Sequence, residues 1–259
     1  MHTILITGAG SGIGKATAIS LSNNPNYRLL LVGRTLDKLK DVLQYLKNKD
    51  HHVIGSVDVS IKEDIINFLS SKEANLNSHP LVNVFANAGI GGPNIFGSRD
   101  RWQEIIDINL TGAYNTCMAS YPWLNKANDK GIDIRNIVIT SSCLARFGVP
   151  GLTAYISSKT ALMGLVRGLA SEWSSGGVLI NAIAPGWVDT EMARDSIQGH
   201  ADLLGKTYDE MLAEVCSVLP TGRMSVPEEI AALVEFLFSG KQRSITGTTI
   251  DINNGSWMG

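Results

Sequence analysis

"TGAGSGIGKATA", residues 7 to 18, sets a run of glycines, Gly8, Gly12 and Gly14 among them, directly behind the apolar run "TILIT" (3 to 7) and ahead of the helix former Ala16. An apolar run that passes through glycines into a helix-forming stretch describes a tight strand-to-helix turn. Lacking side chains, such a turn lets backbone approach a ligand closely, and the free N–H groups of the following helix favour an anion such as a pyrophosphate. The spacing is not GxGxxG, and a tight turn that holds no ligand is the alternative.

Outward from this turn, short apolar runs recur: "YRLLLVG" (27 to 33), "HVIGSV" (52 to 57), "LVNVFAN" (81 to 87), "RNIVITS" (135 to 141), "VLINAIA" (178 to 184) and "TTIDI" (248 to 252). Near-continuous apolar runs of this length suit strands buried on both faces. Most alternate with helix-length segments, at 14 to 23, 36 to 48, 61 to 72, 99 to 124, 153 to 175 and 227 to 239. Start signals stand at Asp58/Ser60 and in the Pro227-Glu228-Glu229 opening. The alternation predicts an α/β fold with a doubly wound parallel sheet.

No linker, repeat or low-complexity stretch divides the chain, so one domain over 1–259 is expected, although length alone also allows two small ones. One segment breaks the rhythm. Between "PGWVDTEM" (185 to 192) and Pro220, apolar positions at Leu203, Leu204, Tyr208, Met211, Leu212 and Val215 are spaced like one or two short helices. An excursion beyond the carboxyl end of a strand is where a substrate lid sits in such sheets, so 190–219 reads either as a lid or as an ordinary packed helix pair.

Composition narrows the function class. The 259 residues are 44% hydrophobic and 18% charged, with a formal net charge of -2. There is no basic footprint for nucleic acid or an anionic membrane surface. Cys117, Cys143 and Cys216 are widely spaced, and His2, His51, His52, His79 and His200 form no ligand pair at helical spacing, so no metal site is expected. His51-His52 reads as a solvated loop. The apolar run that begins at Thr3 leaves no room for a signal peptide, and no 18-residue apolar stretch follows, so a cytoplasmic protein is expected.

Five motifs then stand together: TGxxxGxG at 7 to 14, "ANAG" at 86 to 89, "NLTG" at 109 to 112, "SS" (141 to 142) before "YISSK" (155 to 159), and "PGWVDT" at 185 to 190. Their order resembles the short-chain dehydrogenase/reductase family over about Thr3 to Gly255. The resemblance implies a Rossmann fold of seven parallel strands with helices on both faces, a nicotinamide cofactor and a homo-oligomer, tetramer or dimer. It also implies cofactor contacts from Gly8, Ser11, Gly12, Ile13, Gly14, Asp58, Val59, Asn87, Gly89, Tyr155, Lys159, Pro185, Gly186, Val188 and Thr190. Asp58 would meet the adenine amino group, Asn87 and Gly89 the adenosine ribose, and Thr190 the carboxamide.

Cofactor choice is read after the second strand, where Gly33 and Arg34 stand in place of the acid that binds ribose hydroxyls in NAD sites. A guanidinium matches a 2′-phosphate with a bidentate fork, so NADP(H) is favoured over NAD(H). The alternative leaves Arg34 as a surface cation or across the adenine ring.

Tyr155 and Lys159 lie one helical turn apart on one face. An ammonium beside a phenol favours phenolate and is expected to lower the phenol's pKa, making it a usable proton donor to an alkoxide and a usable base in reverse. Ketone reduction also needs a donor to the carbonyl oxygen. Ser142 matches the family's serine, with Ser141 as the competing register, and Asn109 matches the asparagine that holds a water against lysine. Cys143 either tunes the pocket or packs.

The polar stretch "NKANDKGIDIRN" (125 to 136) reads as a longer surface loop. Asn253 and Asn254 replace an aspartate and glycine common in the family, and asparagine tolerates the positive φ of that turn. The expected pocket wall, from "GGPNIF" (91 to 96), "LARFGVPG" (144 to 151) and Trp187, is mainly apolar, with Arg146 either facing an anionic carrier or lying in solvent. The order "PGWVDTEM" (185 to 192), a long lid, then "LPTGRMSVPEEIA" (219 to 231) looks most like β-ketoacyl and polyketide ketoreductases within the family. These readings predict an NADPH-dependent reductase of a ketone on a small molecule, with a 3-oxoacyl thioester favoured. The alternatives are a dehydrogenase oxidising a secondary alcohol of a sugar, polyol or steroid, and a cofactor-sensing or scaffold protein without chemistry.

Overall fold

A computed structural model describes residues 1–259. Seven strands form one parallel sheet: β1 (His2–Thr7), β2 (Tyr27–Gly33), β3 (Val53–Ser56), β4 (Leu81–Ala86), β5 (Arg135–Thr140), β6 (Val178–Pro185) and β7 (Thr249–Ile252). Their order is β3-β2-β1-β4-β5-β6-β7. The order reverses between β1 and β4, so a crevice opens where their carboxyl ends part, the usual ligand position in open α/β sheets.

Helices cover both faces because the strands are apolar on both. On one side α1 (Gly12–Ser22), α2 (Leu36–Tyr45) and a late helix, Pro227–Phe238, pack against Ile4, Ile6, Leu29 and Leu31. On the other, α3 (Lys62–Leu69) and two longer helices described next pack against Leu5, Leu30, Val84 and Ile137. Alternate residues of each strand thus enter two separate cores, each fully buried Val, Leu, Ile or Phe contributing about 1.5–3 kcal/mol.

The helix expected over 99–124 is observed in three pieces. It opens as α4 (Trp102–Ile106), passes through a π-helical turn (Asp107–Thr111) in which Gly112 N–H reaches back to Asp107 O, and continues as α5 (Gly112–Asn128). Such turns mark local irregularity inside helices, frequently at functional sites. The polar stretch expected as a loop over 125–136 is a loop only over 129–134, between the end of α5 and the start of β5. Leu124 and Ala127 are fully buried and Lys126 covers the Trp123 ring, which carries α5 to Asn128 and leaves only a short connection before β5. His52 also departs from expectation. It is 8% exposed, its Nδ1 accepts Leu29 N–H at 3.1 Å and its Nε2 lies 2.8 Å from Lys47 O. The imidazole serves as a fastener between β2 and the end of α2.

Helix α6 (Thr153–Trp173) follows β5. The 190–219 segment forms two helices, α7 (Glu191–Leu204) and α8 (Tyr208–Ser217), turning at Gly205, with φ 65°. Val215 is buried, whereas Leu203 and Leu204 at the tip face solvent. The helix Pro227–Phe238 is α9. No helix is long and apolar enough to cross a membrane.

Candidate active site

Every candidate residue lies at or just past the carboxyl end of a strand, or on a helix facing those ends. After β1, Gly8 and Gly12 take positive φ values of 63° and 49°, the conformations the turn requires. A methyl group on Gly14 would collide with the Gly8 carbonyl and stand 2.9 Å from Asn87 Nδ2. The turn is thus closed tightly on itself and on β4. Ser11 stands at the start of α1 with no side-chain cap, so the first-turn N–H groups beside Gly12 and Ile13 are free for an anion.

Beside this turn a cleft of about 130 Å³ is lined by Gly8, Arg34, Asp58, Val59, Gly89 and their neighbours. These are the residues expected to hold an adenosine, brought together from four strand ends. Asp58 is partly committed, since its Oδ1 accepts from Ser60 N–H at 2.9 Å and from the Ser60 hydroxyl at 2.6 Å. Arg34 is exposed at the rim, and its guanidinium takes part in none of the chain's ion pairs.

Asn87 ties the crevice together. Its amide nitrogen donates to Thr7 O at 3.3 Å, while its Oδ1 accepts from the Thr140 hydroxyl at 3.0 Å. The Thr7 hydroxyl accepts both Asn87 N–H and Ala88 N–H at 3.0 Å. Thr7 and Thr140 were not singled out from the sequence; their position at strand ends beside the motifs was the available signal. On the far side, Gly186 is pressed against Asn253 backbone, and Pro185 and Val188 are buried. Thr190 caps α7 by accepting Ala193 N–H at 3.3 Å, and its methyl group lies against Gly12. Ser11 to Gly14 and Pro185 to Thr190 therefore face each other across the crevice.

Lys159 is 4% exposed, and its Nζ donates to Thr140 O at 2.8 Å. Burial lowers its pKa to about 8. Gly89 sits between it and Asn109: a methyl there would meet Asn109 Oδ1 at 3.1 Å and Lys159 Nζ at 3.3 Å. Asn109, in the π-helical turn, accepts Ile90 N–H at 2.8 Å and donates to Ile90 O at 2.9 Å and the Ser158 hydroxyl at 3.1 Å. Its side chain is thus spent on fixing the loop after β4 against α6.

The two serines differ in what their hydroxyls meet. Ser141 turns inward and its hydroxyl donates to Lys159 O at 2.8 Å. Ser142 Oγ accepts Leu144 N–H at 3.1 Å and lies beside the Tyr155 phenol. The electrostatic expectation for Tyr155 needs correction. Burial raises its pKa, and only the Ser142 hydroxyl pulls it back down. Lys159 Nζ stands 5.7 Å from the ring centroid and spends a hydrogen bond on Thr140. Without nucleotide the phenol is thereby held protonated.

Arg146 neither lies free nor faces the pocket. It pairs with Asp251 at 3.0 Å and covers the Trp257 ring, binding the wall after Ser142 to the carboxyl-terminal segment. Asn254 adopts φ 57°, as the substituted turn requires.

A glycine cradle on a helix N-terminus, a cleft beside it lined from four strand ends and a Tyr–Lys–Ser cluster fit a dinucleotide and a carbonyl or alcohol. Comparison with known proteins agrees. The model of the family described as short chain dehydrogenase matches residues 2–201. The 3-oxoacyl-[acyl-carrier-protein] reductase FabG of Pseudomonas aeruginosa is 31% identical, covering 98% of this chain and 96% of its own. That of Rickettsia prowazekii is 32% identical, covering 99% and 97%. Among solved structures, levodione reductase aligns with a TM-score of 0.85 at 28% identity, covering 98% of this chain and 96% of its own. An actinorhodin polyketide ketoreductase shares the fold with a TM-score of 0.89 at 24% identity over 98% and 97%. The chain belongs to the short-chain dehydrogenase family, and it is an NAD(P)-dependent oxidoreductase of small-molecule substrates.

Proposed function

We propose that this chain reduces the ketone of a 3-oxoacyl thioester to a secondary alcohol with NADPH. The observation that carries the reading is the half-buried phenol of Tyr155, its pKa raised by desolvation, set beside the Ser142 hydroxyl and above the buried ammonium of Lys159. The dinucleotide would lie from the Arg34 rim over the glycine turn toward Thr190, and when bound it supplies a hydride to the carbonyl carbon. As negative charge grows on the carbonyl oxygen, the Ser142 hydroxyl donates a hydrogen bond to it. Tyr155 transfers its phenolic proton to the same oxygen, completing the alcohol. Lys159, still charged below its pKa of about 8, steadies the phenolate that remains until solvent returns a proton. Asn109 holds the surrounding backbone and Ser158 in place.

Two features support the finer points. Arg34 supplies an unpaired guanidinium at the ribose end, which suits a 2′-phosphate. Exposed apolar side chains at Ile95, Phe96, Phe147 and Met192 suit an acyl chain, and the two relatives named above are 3-oxoacyl-[acyl-carrier-protein] reductases by name. A cytoplasmic homo-oligomer remains part of this reading, to be tested by fractionation and solution mass.

The test is consumption of NADPH and, in parallel, NADH with acetoacetyl-CoA, in wild type and Tyr155→Phe. NADPH-selective turnover that falls about 10²–10⁴-fold in the variant, with nucleotide still bound, is expected for loss of a general acid. Near-normal turnover of Tyr155→Phe would remove the mechanism. Preference for NADH would remove the role of Arg34, and binding without consumption would direct the search to cyclic ketones and sugars.

A further inference from the structure

Helix α6 carries both Tyr155 and Lys159, yet its own N-cap residue, Leu152, offers no side-chain acceptor to the first-turn N–H groups. The acceptor arrives from the loop after β4. Asn94 Oδ1 accepts Ala154 N–H at 2.9 Å, and Asn94 N–H donates to Gly151 O at 3.0 Å. One residue therefore clasps the chain on both sides of the helix start, and Ala154 immediately precedes Tyr155. Asn94 performs across 60 residues the task that an N-cap side chain ordinarily performs within its own helix.

The loop that delivers Asn94 is itself held. Arg101 reaches Gly91 O at 3.1 Å, and the Asn94 amide lies 3.5 Å from Asp100 Oδ1. The next two residues, Ile95 and Phe96, present exposed side chains, with Phe96 98% accessible. The α7 residue Met192 packs at Gly91 on the same loop. The exposed Ile95 and Phe96, the Met192 contact and the residue that caps the helix of Tyr155 therefore share one loop.

We propose that Asn94 is a positioning residue which sets the Tyr155 phenol by capping α6 from the substrate-side loop, so that movement of that loop is felt at the proton donor. The inference rests on Tyr155 being the proton donor of the proposed reaction. Tyr155 is the third residue of the helix, inside the turn that frays first when a cap is lost. A displacement of about 1 Å at such a group is sufficient to cost on the order of 10²-fold in rate.

The experiment compares wild type, Asn94→Ala and the exchange Asn94→Asp/Asp100→Asn. The exchange keeps an oxygen acceptor for Ala154 N–H and a donor–acceptor pair with position 100. Turnover of acetoacetyl-CoA and its pH profile, NADPH affinity and amide hydrogen exchange at Ala154 and Tyr155 are measured in each. Phenol titration is read by absorbance as the difference made by Tyr155→Phe in the same background. Asn94→Ala is expected to lower kcat about tenfold, to move the pH profile and phenol titration, to speed exchange at the two amides, and to leave NADPH affinity unchanged. The exchange variant is expected to recover these properties.

A purely structural cap would lower Tm while leaving the pH profile and phenol titration where they were, and that result overturns the proposal. So does unchanged exchange at Ala154 and Tyr155 in Asn94→Ala. If wild type leaves acetoacetyl-CoA untouched, the substrate reading alone fails. Amide exchange and phenol titration then decide for Asn94: movement of both supports it, and an unmoved phenol overturns it.

Discussion

Lys159 holds a positive charge where the protein gives it no carboxylate, only the Thr140 carbonyl and a shell that excludes water. Relative to its ordinary pKa of 10.5, a native value of about 8 means that keeping the charge costs about 3 kcal/mol at neutral pH. Between pH 8 and 10.5 the unfolded chain still holds a proton that the native chain has released, so this residue makes stability rise with pH across that window. Lys159→Met is therefore expected to abolish turnover and to stabilise the nucleotide-free protein by about 1–3 kcal/mol at neutral pH. The gain should shrink as pH climbs from 8 toward 10.5, which urea denaturation at several pH values checks. For wild type, kcat/KM for reduction reports groups of the free enzyme. It is expected to be level below pH 8 and to fall above it as the ammonium is lost.

At the scale of elements, the turn between β1 and α1 and the π-helical turn before α5 do the positioning. Gly14 faces the Gly8 carbonyl so closely that an added methyl must push the turn or Asn87 away. Gly14→Ala is expected to weaken NADPH binding at least about tenfold, roughly 1.4 kcal/mol, with a smaller loss of Tm; fluorescence titration measures it. Unchanged affinity would show that the turn holds no phosphate. The π-helical turn was not legible in "DINLTG", because one extra residue in a helix leaves no period of its own. The capping of α6 was equally hidden, since Asn94 and Ala154 meet only after β4, β5 and the intervening helices have packed.

At the scale of the molecule, α7 and α8 form a two-helix excursion anchored at both stems and free at the tip. At one stem Lys38 pairs with Glu191 at 3.0 Å across the mouth of the crevice, and Thr190 rests on Gly12. At the other, Leu219 is buried and Pro220 packs on Gly255. Leu203 and Leu204 stand exposed beside Gly205. If this segment acts as a lid, its amides over 191–217 exchange faster than those of α6 and slow when NADPH binds. Equal protection with and without nucleotide would make it a fixed wall.

The sequence by itself determined the strands and their parallel arrangement, and it offered the candidate site residues as local patterns. Burial on both faces demands continuous apolar runs, and a glycine turn, a Tyr–Lys pair one helical turn apart and a strand-end serine are local patterns. Only the tertiary structure decided what each group experiences. That the Ser141 hydroxyl is tied to α6 backbone while the Ser142 hydroxyl accepts from Leu144 N–H follows from how the fold turns the end of β5. His52 became a fastener and Arg146 a clasp on Asp251 through partners far along the chain. The upward shift of the Tyr155 phenol, against the expectation from its neighbouring lysine, arises because desolvation depends on everything packed around the ring, which no four-residue spacing encodes.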